Sequence, residues 1–264
     1  MKILYVGDIM GEPGIEVVEQ VVPKLRTEHH IDLVIAQAEN VTEGRGITPS
    51  DFVRLKKAGI DFFTGGNWSL HHSSIIPMMN DPVQAIIRPA NYPAGTPGLG
   101  YKFVPAATGR VLVISLLGQI VGKDANKPLE NPLHCIDEIL SQQVTETRSA
   151  TIVNFHGDYS SEKVVIGHYL DGRVTAVIGD HWHIPTADAR VLPGGTAHIT
   201  DVGMCGVLDA SLGVSFQSVI PRWHDGRKTR NVLETKGQRQ FNGVLIETDS
   251  QGLASAIQSI RSVF

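Results

Sequence analysis

Met1-Lys2-Ile3-Leu4-Tyr5-Val6-Gly7-Asp8-Ile9-Met10-Gly11-Glu12-Pro13-Gly14 opens the chain, and the order of its parts decides the fold. Ile3 to Val6 is an apolar run of strand length that ends in the polar pair Gly7-Asp8. Beyond it Val17, Val18, Val21, Val22 and Leu25 recur every three or four residues, with Glu16, Glu19, Gln20 and Lys24 on the other face of a helix. The rhythm continues. Strand-length runs recur at Leu33 to Ala36, Phe62 to Phe63, Val83 to Ile87, Val111 to Leu116, Thr151 to Phe155, Val174 to Ile178 and Val244 to Glu247. A second helix is expected over Pro49 to Ala58, with Phe52, Val53 and Leu55 as its apolar residues, Thr48 as N-cap and Gly59 as C-cap. Leu253 to Phe264 reads as a closing helix with Leu253, Ile257 and Ile260 on one face. Alternating strands and helices give an α/β protein whose parallel or mixed sheet carries helices on both faces. Pro89 to Pro105 and Ala125 to Pro132 are surface loops by composition, too short for domain linkers, so residues 1–264 read as one domain.

The chain has 264 residues, 42% of them hydrophobic, enough for a full core. A net charge of −4 provides no general attraction for nucleic acid or an anionic membrane, so no stable nucleic-acid complex is expected and a charged ligand must be held by local groups. The most basic stretch, Arg222 to Arg239, reads as a solvated loop before the last strand. Cys135 and Cys205 read as free thiols. No stretch approaches the ~20 apolar residues of a membrane span, and residues 1–6 are too short for a signal peptide. The expectation is a soluble cytoplasmic protein, in the size class where symmetric homo-oligomers are common.

In open α/β sheets ligands bind beyond the carboxyl ends of the strands. Those ends here deliver Asp8, then Glu39-Asn40, then Asn67 after Gly65-Gly66, then His156, and finally Asp180-His181-Trp182-His183. Each has a plain reading: Asp8 could cap a helix, Asn67 could serve a turn, and His156 could be a core histidine. His181 and His183 would point the same way if their segment is extended. Five such ends on one rim outweigh the separate readings. Carboxylate, amide and imidazole ligands without thiolate suit iron, manganese or zinc. Two ions sharing a bridging carboxylate can activate a bridging hydroxide for attack at phosphorus. Asp180 and Asp188 are candidates to fix imidazole tautomers. The glycines of Gly44 to Thr48 and Gly194 to Ala197 would let backbone N–H groups approach an anion, or simply make turns.

Gly7 to Gly14, Ala38-Glu39-Asn40 with Gly44 to Thr48, Ser161-Glu162-Lys163, His181 to Asp188, and Leu192 to Ala197 with Ile199 to Met204 together resemble the bacterial YmdB-type branch of the calcineurin-like metallophosphoesterases. The resemblance covers nearly the whole chain in order. It implies a four-layered α/β sandwich, a dinuclear iron or manganese centre, and phosphodiesterase activity on 2′,3′-cyclic nucleotides or similar small phosphodiesters. It assigns Asp8, Glu39, Asn40 and His183 to one metal and Glu39, Asn67, His156 and His181 to the other, with Glu39 as the bridge.

Two departures bear on activity. The family has a histidine directly after the metal-binding asparagine, where this chain has Trp68, whose indole nitrogen only donates. His71 and His72 follow, and a turn could bring His71 in as the replacement; the plain reading leaves both exposed. Asn154-Phe155-His156-Gly157-Asp158 also differs, the family tending to an acidic residue before the Phe and Ala-Glu after the His. Two functions therefore stand: a dinuclear-metal phosphodiesterase, or a metal-containing phosphate- or nucleotide-binding regulatory protein whose turnover Trp68 has weakened or removed. A metallohydrolase for non-phosphate substrates fits the ligands but not the resemblance.

Overall fold

Side chains of the central strands alternate between two apolar cores, and that alternation stacks the chain in layers. The computed structural model describes residues 1–264, the side chain of Lys123 excepted. Its first part runs β1 (Lys2–Val6), β2 (Asp8–Ile9), α1 (Gly11–His29), β3 (Leu33–Gln37), α2 (Pro49–Lys57), β4 (Phe62–Thr64) and α3 (Ile76–Asn80). There follow β5 (Tyr101–Ala106), β6 (Gly109–Leu117), α4 (Pro132–Gln142), β7 (Ala150–His156), α5 (Ser160–Tyr169), β8 (Ala176–Asp180), β9 (Arg190–Val191), β10 (Ala197–Ile199) and β11 (Met204–Val207). The last elements are α6 (Phe216–Asp225), β12 (Arg239–Thr248) and β13 (Ala254–Val263).

One sheet runs β2-β11-β12-β1-β3-β4 with β13 along β12, and the other runs β5-β6-β7-β8-β10-β9. Within them β1, β3 and β4 are parallel, as are β6, β7, β8 and β10. Leu4 and Val6 of β1 face α1 and α2, while Ile3 and Tyr5 face the second sheet. On that sheet Val113 and Ile152 face inward, and Leu112, Ile114, Val153 and Phe155 meet Ile136 of α4 and Ile166 of α5. The order is helices, sheet, sheet, helices: a four-layered α/β sandwich. Thr48 caps α2 by accepting the Asp51 N–H, and Gly59 follows its C-cap at φ 100°. No described helix is long and apolar enough to cross a membrane.

Several expectations are corrected. Leu253 to Phe264 is not a helix; β13 pairs antiparallel with β12 along nearly its whole length. A spacing of three places Ile257 and Ile260 on one helical face, but on opposite faces of a strand. Here Ile257 packs into the inter-sheet core and Ile260 into the outer one, so the strand serves both. Val83 to Ile87 is no strand: Val83 is exposed, and only Ile86 bridges to Phe63. The Pro/Gly-rich loop ends earlier than its composition suggests, because β5 takes up its last five residues. The remainder is organised by buried Arg88, which donates to the carbonyls of Pro89, Ala90, Thr96 and Pro97. Cys135 and Cys205 are free thiols.

Because β13 packs on both sides, Ile257→Ala and Ile260→Ala should each cost about 1–2 kcal/mol, below the ~2–5 kcal/mol of a fully buried isoleucine. Denaturant unfolding of the two variants would measure this, and a loss at one position only would contradict the two-sided strand.

Candidate metal centre

The carboxyl ends of β1, β3 and β4 from one sheet meet those of β7 and β8 from the other. Asp8, Glu39, Asn40, Asn67, His156 and His183 are all buried there, with His181 half-buried at the rim. His156 Nε2 lies 3.0 Å from Glu39 Oε1 and 3.1 Å from Asn67 Oδ1. His183 Nε2 lies 3.2 Å from Asn40 Oδ1 and 4.0 Å from Asp8 Oδ1. Ligand atoms of Glu39, His156 and His181 lie within 4.8 Å of one another. The seven residues thus gather as two adjoining groups: His183 with Asn40 and Asp8, and His156 with Asn67, Glu39 and His181.

The hydrogen bonds around these side chains make them converge as acceptors. His183 Nδ1 faces the Leu212 carbonyl at 3.1 Å and so carries the proton, which turns the Nε2 lone pair toward Asn40 Oδ1. Asn40 Nδ2 donates to the Gly44 carbonyl, which fixes that oxygen. In the second group His156 Nδ1 donates to Asp180 Oδ1 at 2.6 Å, and Asn67 Nδ2 donates to Asp124. Asp8 Oδ1 is buried with no hydrogen-bond partner. Lone pairs that face one another and a buried orphan carboxylate oxygen are satisfied together by cations, so the donor set fits divalent metal ions.

The proton affinities carry the same signature. Burial, and then the neighbouring Asp180 carboxylate, push the Asp8 carboxyl well above its usual range. Burial, and then His181, push His183 down to about 4, leaving it a neutral imidazole. Burial opposes charge on His156, yet Glu39 and Asp180 together raise it well above an ordinary histidine. A negative cluster thus holds a proton where a cation would otherwise lie.

The His181-Trp182-His183 segment is not the extended stretch expected. β8 ends at Asp180, and His181 and His183 adopt φ of 103° and 63°, a region non-glycine residues seldom enter. That backbone sends the two imidazoles into different groups. It is held by Asp201, which accepts the Trp182 N–H at 2.8 Å and pairs with the fully buried Lys163 at 2.7 Å. Lys163 also donates to the Asp180 carbonyl and lies 4.1 Å from the Trp182 ring centroid. Lys163 and Asp201 stand in the quoted motifs, but nothing in the sequence gives their pairing. Asp158, two residues after His156, lies 3.3 Å from His181 Nε2 and was not anticipated either. Of the two candidate orienting carboxylates only Asp180 contacts one of the gathered histidines, His156; Asp188 binds Thr186 and Thr200.

Trp68 donates its backbone N–H to Glu39 Oε2 at 3.1 Å, and its ring lines a cleft beside the centre. His71 stands edge-on to Trp68 in that cleft, 5.4 Å between ring centroids, rather than among the ligand side chains. The glycine loops are turns: Arg45 N–H and Gly46 N–H go to Thr42 and Glu39 carbonyls, and Gly194 N–H to Asp171.

A family model described as YmdB-like protein matches residues 4–260. The chain belongs to the YmdB-like family. Among its relatives, a 2′,3′-cyclic-nucleotide 2′-phosphodiesterase of Bacillus subtilis is 38% identical over 251 residues, 95% of this chain and 92% of that one. A crystal structure titled as a novel phosphatase from Mycoplasma pneumoniae superposes with a TM-score of 0.91 at 28% identity, covering 100% of this chain and 93% of that one. A 5′-nucleotidase precursor from Thermus thermophilus shares the fold alone, with a TM-score of 0.57 at 11% identity over 99% of this chain and 54% of that one. This YmdB-like chain is a metal-dependent phosphoesterase, with buried acidic and histidine groups placed to hold divalent metal ions.

Removing the carboxylate that orients His156, by Asp180→Asn, should lower metal affinity about 10- to 100-fold. Competitive titration with a metal chelator would measure it; unchanged affinity would show that Asp180 does not orient a ligand.

Proposed function

We propose that this protein is a dinuclear-metal phosphodiesterase for small phosphodiesters, with 2′,3′-cyclic nucleotides as its substrate class. The observation that carries the reading is the convergence of fixed acceptor atoms in two groups that share the region around Glu39. Asp8, Glu39, Asn40 and His183 would hold one ion, and Glu39, Asn67, His156 and His181 the other. Iron or manganese suits this set, with zinc as the alternative. When bound, such ions supply Lewis acidity toward a phosphoryl group and make water nucleophilic at neutral pH. The substrate preference is drawn from the B. subtilis relative.

The protein's own part is to aim lone pairs and to manage protons. Asp180 and the Leu212 carbonyl keep the His156 and His183 protons on Nδ1. Asp124 and Gly44 keep the amide oxygens of Asn67 and Asn40 inward. Protonation of the leaving oxygen falls to His71 in this reading, because Trp68 cannot relay a proton. Burial, followed by His72 and Arg45, lowers the His71 pKa, so its acid form is scarce at pH 7. The wild-type advantage over His71→Ala should therefore grow as pH falls toward and below the ordinary histidine value of ~6.5, read as turnover of 2′,3′-cyclic AMP by metal-loaded protein.

Trp68 favours a second reading, a regulatory protein that binds a phosphate or nucleotide at the metals with little turnover. Loss of a positioned acid costs about 10²- to 10⁴-fold in rate. Phosphodiesterase turnover measured with bound metal quantified, beside Trp68→His, separates the two. Robust wild-type turnover supports the enzyme; two bound metals with negligible turnover, restored by Trp68→His, support the regulatory protein. Failure to bind metal at all would sink both.

A further inference from the structure

The cleft beside the metal centre gathers arginines that the protein leaves unneutralised. It has a volume of about 650 Å³ and meets the centre at Trp68. Arg45 lies with its guanidinium carbon 5.0 Å from the Trp68 ring centroid. Arg222, in the last turn of α6, and Arg230, in the segment that follows it, also line the cleft. That segment is not a free solvated loop. Leu233 packs on the apolar cluster of Met10, Met204, Val214 and Val219, and the chain bridges Val214 to Leu233.

Outside the cleft most surface arginines meet a carboxylate, Arg26 on Asp61, Arg54 on Glu12 and Glu19, Arg110 on Glu146, Arg173 on Asp137, Arg227 on Asp225 and Arg239 on Glu16, while Arg148, Arg190 and Arg261 stand without one among the described residues but are scattered rather than gathered. In the cleft, among the described residues, the guanidinium groups of Arg45 and Arg230 make no hydrogen bond or ion pair. Arg222 donates only to neutral acceptors on Thr229 and Asn231, so its charge also stands uncompensated. Glu43 is the one carboxylate in the described lining, and it is exposed. Against a net charge of −4, three uncompensated arginines in one cleft make a local anion site. The planar fork of arginine suits phosphate oxygens, and an indole beside it offers a face to a base.

Resting on the phosphodiesterase reading above, we propose that this cleft binds a second phosphate of the substrate, so that the preferred substrates are 2′,3′-cyclic nucleotides that also carry a 5′-phosphate. The scissile diester lies at the metal centre. The 5′-phosphate reaches past Trp68 to Arg230 and Arg45.

The test compares kcat/KM for 2′,3′-cyclic AMP with that for its 5′-phosphorylated form, in metal-loaded wild-type protein and in Arg230→Gln. The expected result is a preference of about tenfold for the 5′-phosphorylated substrate, the scale of one charged hydrogen bond, falling toward one in the variant. Equal kcat/KM for the two substrates in the wild type would overturn the inference and leave the phosphodiesterase reading standing. If neither substrate turns over, the phosphodiesterase reading fails. Quenching of tryptophan fluorescence by 5′-AMP against adenosine, with Trp68→Phe as control, then decides the cleft. Tighter binding of 5′-AMP that Arg230→Gln abolishes supports the anion site, and equal binding of the two overturns it.

Discussion

Asp180 is the group on which the rest of this structure depends. Its carboxylate is fully buried between the sheets and accepts hydrogen bonds from Tyr5, Gln37 and Asn154 on one oxygen and from His156 on the other. Tyr5 and Gln37 belong to the first sheet, Asn154 and His156 to the second. A buried carboxylate is costly unless its lone pairs are all engaged, and only one relative placement of the two sheets engages these. Burial alone would raise the Asp180 pKa, but His156 and then Lys163 hold it below the ordinary range. The charge therefore persists inside a core otherwise filled by Ile3, Ile35, Ile152 and Ile178. Apolar packing drives the sheets together without choosing their offset; this polar seam chooses it, and with it the distance between Glu39 and His156.

The strain at His181 and His183 follows from the same requirement. Two imidazoles two residues apart lie in different side-chain groups, His181 with His156 and Glu39 and His183 with Asn40 and Asp8, an arrangement an extended segment would not give. Left-handed backbone at two non-glycine residues persists only where surrounding contacts over-determine it. Lys163 and Asp201 provide them, binding the Asp180 carbonyl and the Trp182 amide that flank His181. The buried ion pair thus bears on function through the shape of the loop; as a contributor to stability, such a pair gains little over apolar side chains of the same volume.

Net charge and local field point in opposite directions here. An acidic chain presents an arginine-lined cleft because the basic segment is anchored by Leu233 rather than dispersed in solvent. Gly44, at φ 79°, lies so close to Leu233 that a Cβ there would come within 2.9 Å of its side chain. The glycine that makes the turn after Asn40 is therefore also the surface on which the basic segment rests.

The sequence by itself determined the α/β class, the strands that lead to the candidate site and the residue types at their ends, because side-chain periodicity and strand-end chemistry are local. Asp8, Glu39, Asn40, Asn67, His156, His181 and His183 were all legible as polar residues at or just beyond strand ends, and Trp68 was legible as a departure. What lay beyond it depends on separations the chain does not encode locally. Ile257 and Ile260 fit a helical face as well as a two-sided strand, and only pairing with β12 decides between them. Asp158 and the Lys163–Asp201 pair are ordinary polar residues until folding brings them beside the His181 loop. His71 was legible only as one candidate for a relocated acid beside the plain reading of an exposed histidine, and its place in the cleft beside Trp68 depends on the turns after β4. Tertiary structure alone decided which strand ends face one another, because that depends on how buried polar groups of two sheets satisfy one another, a constraint with no signature in the spacing of residues along the chain.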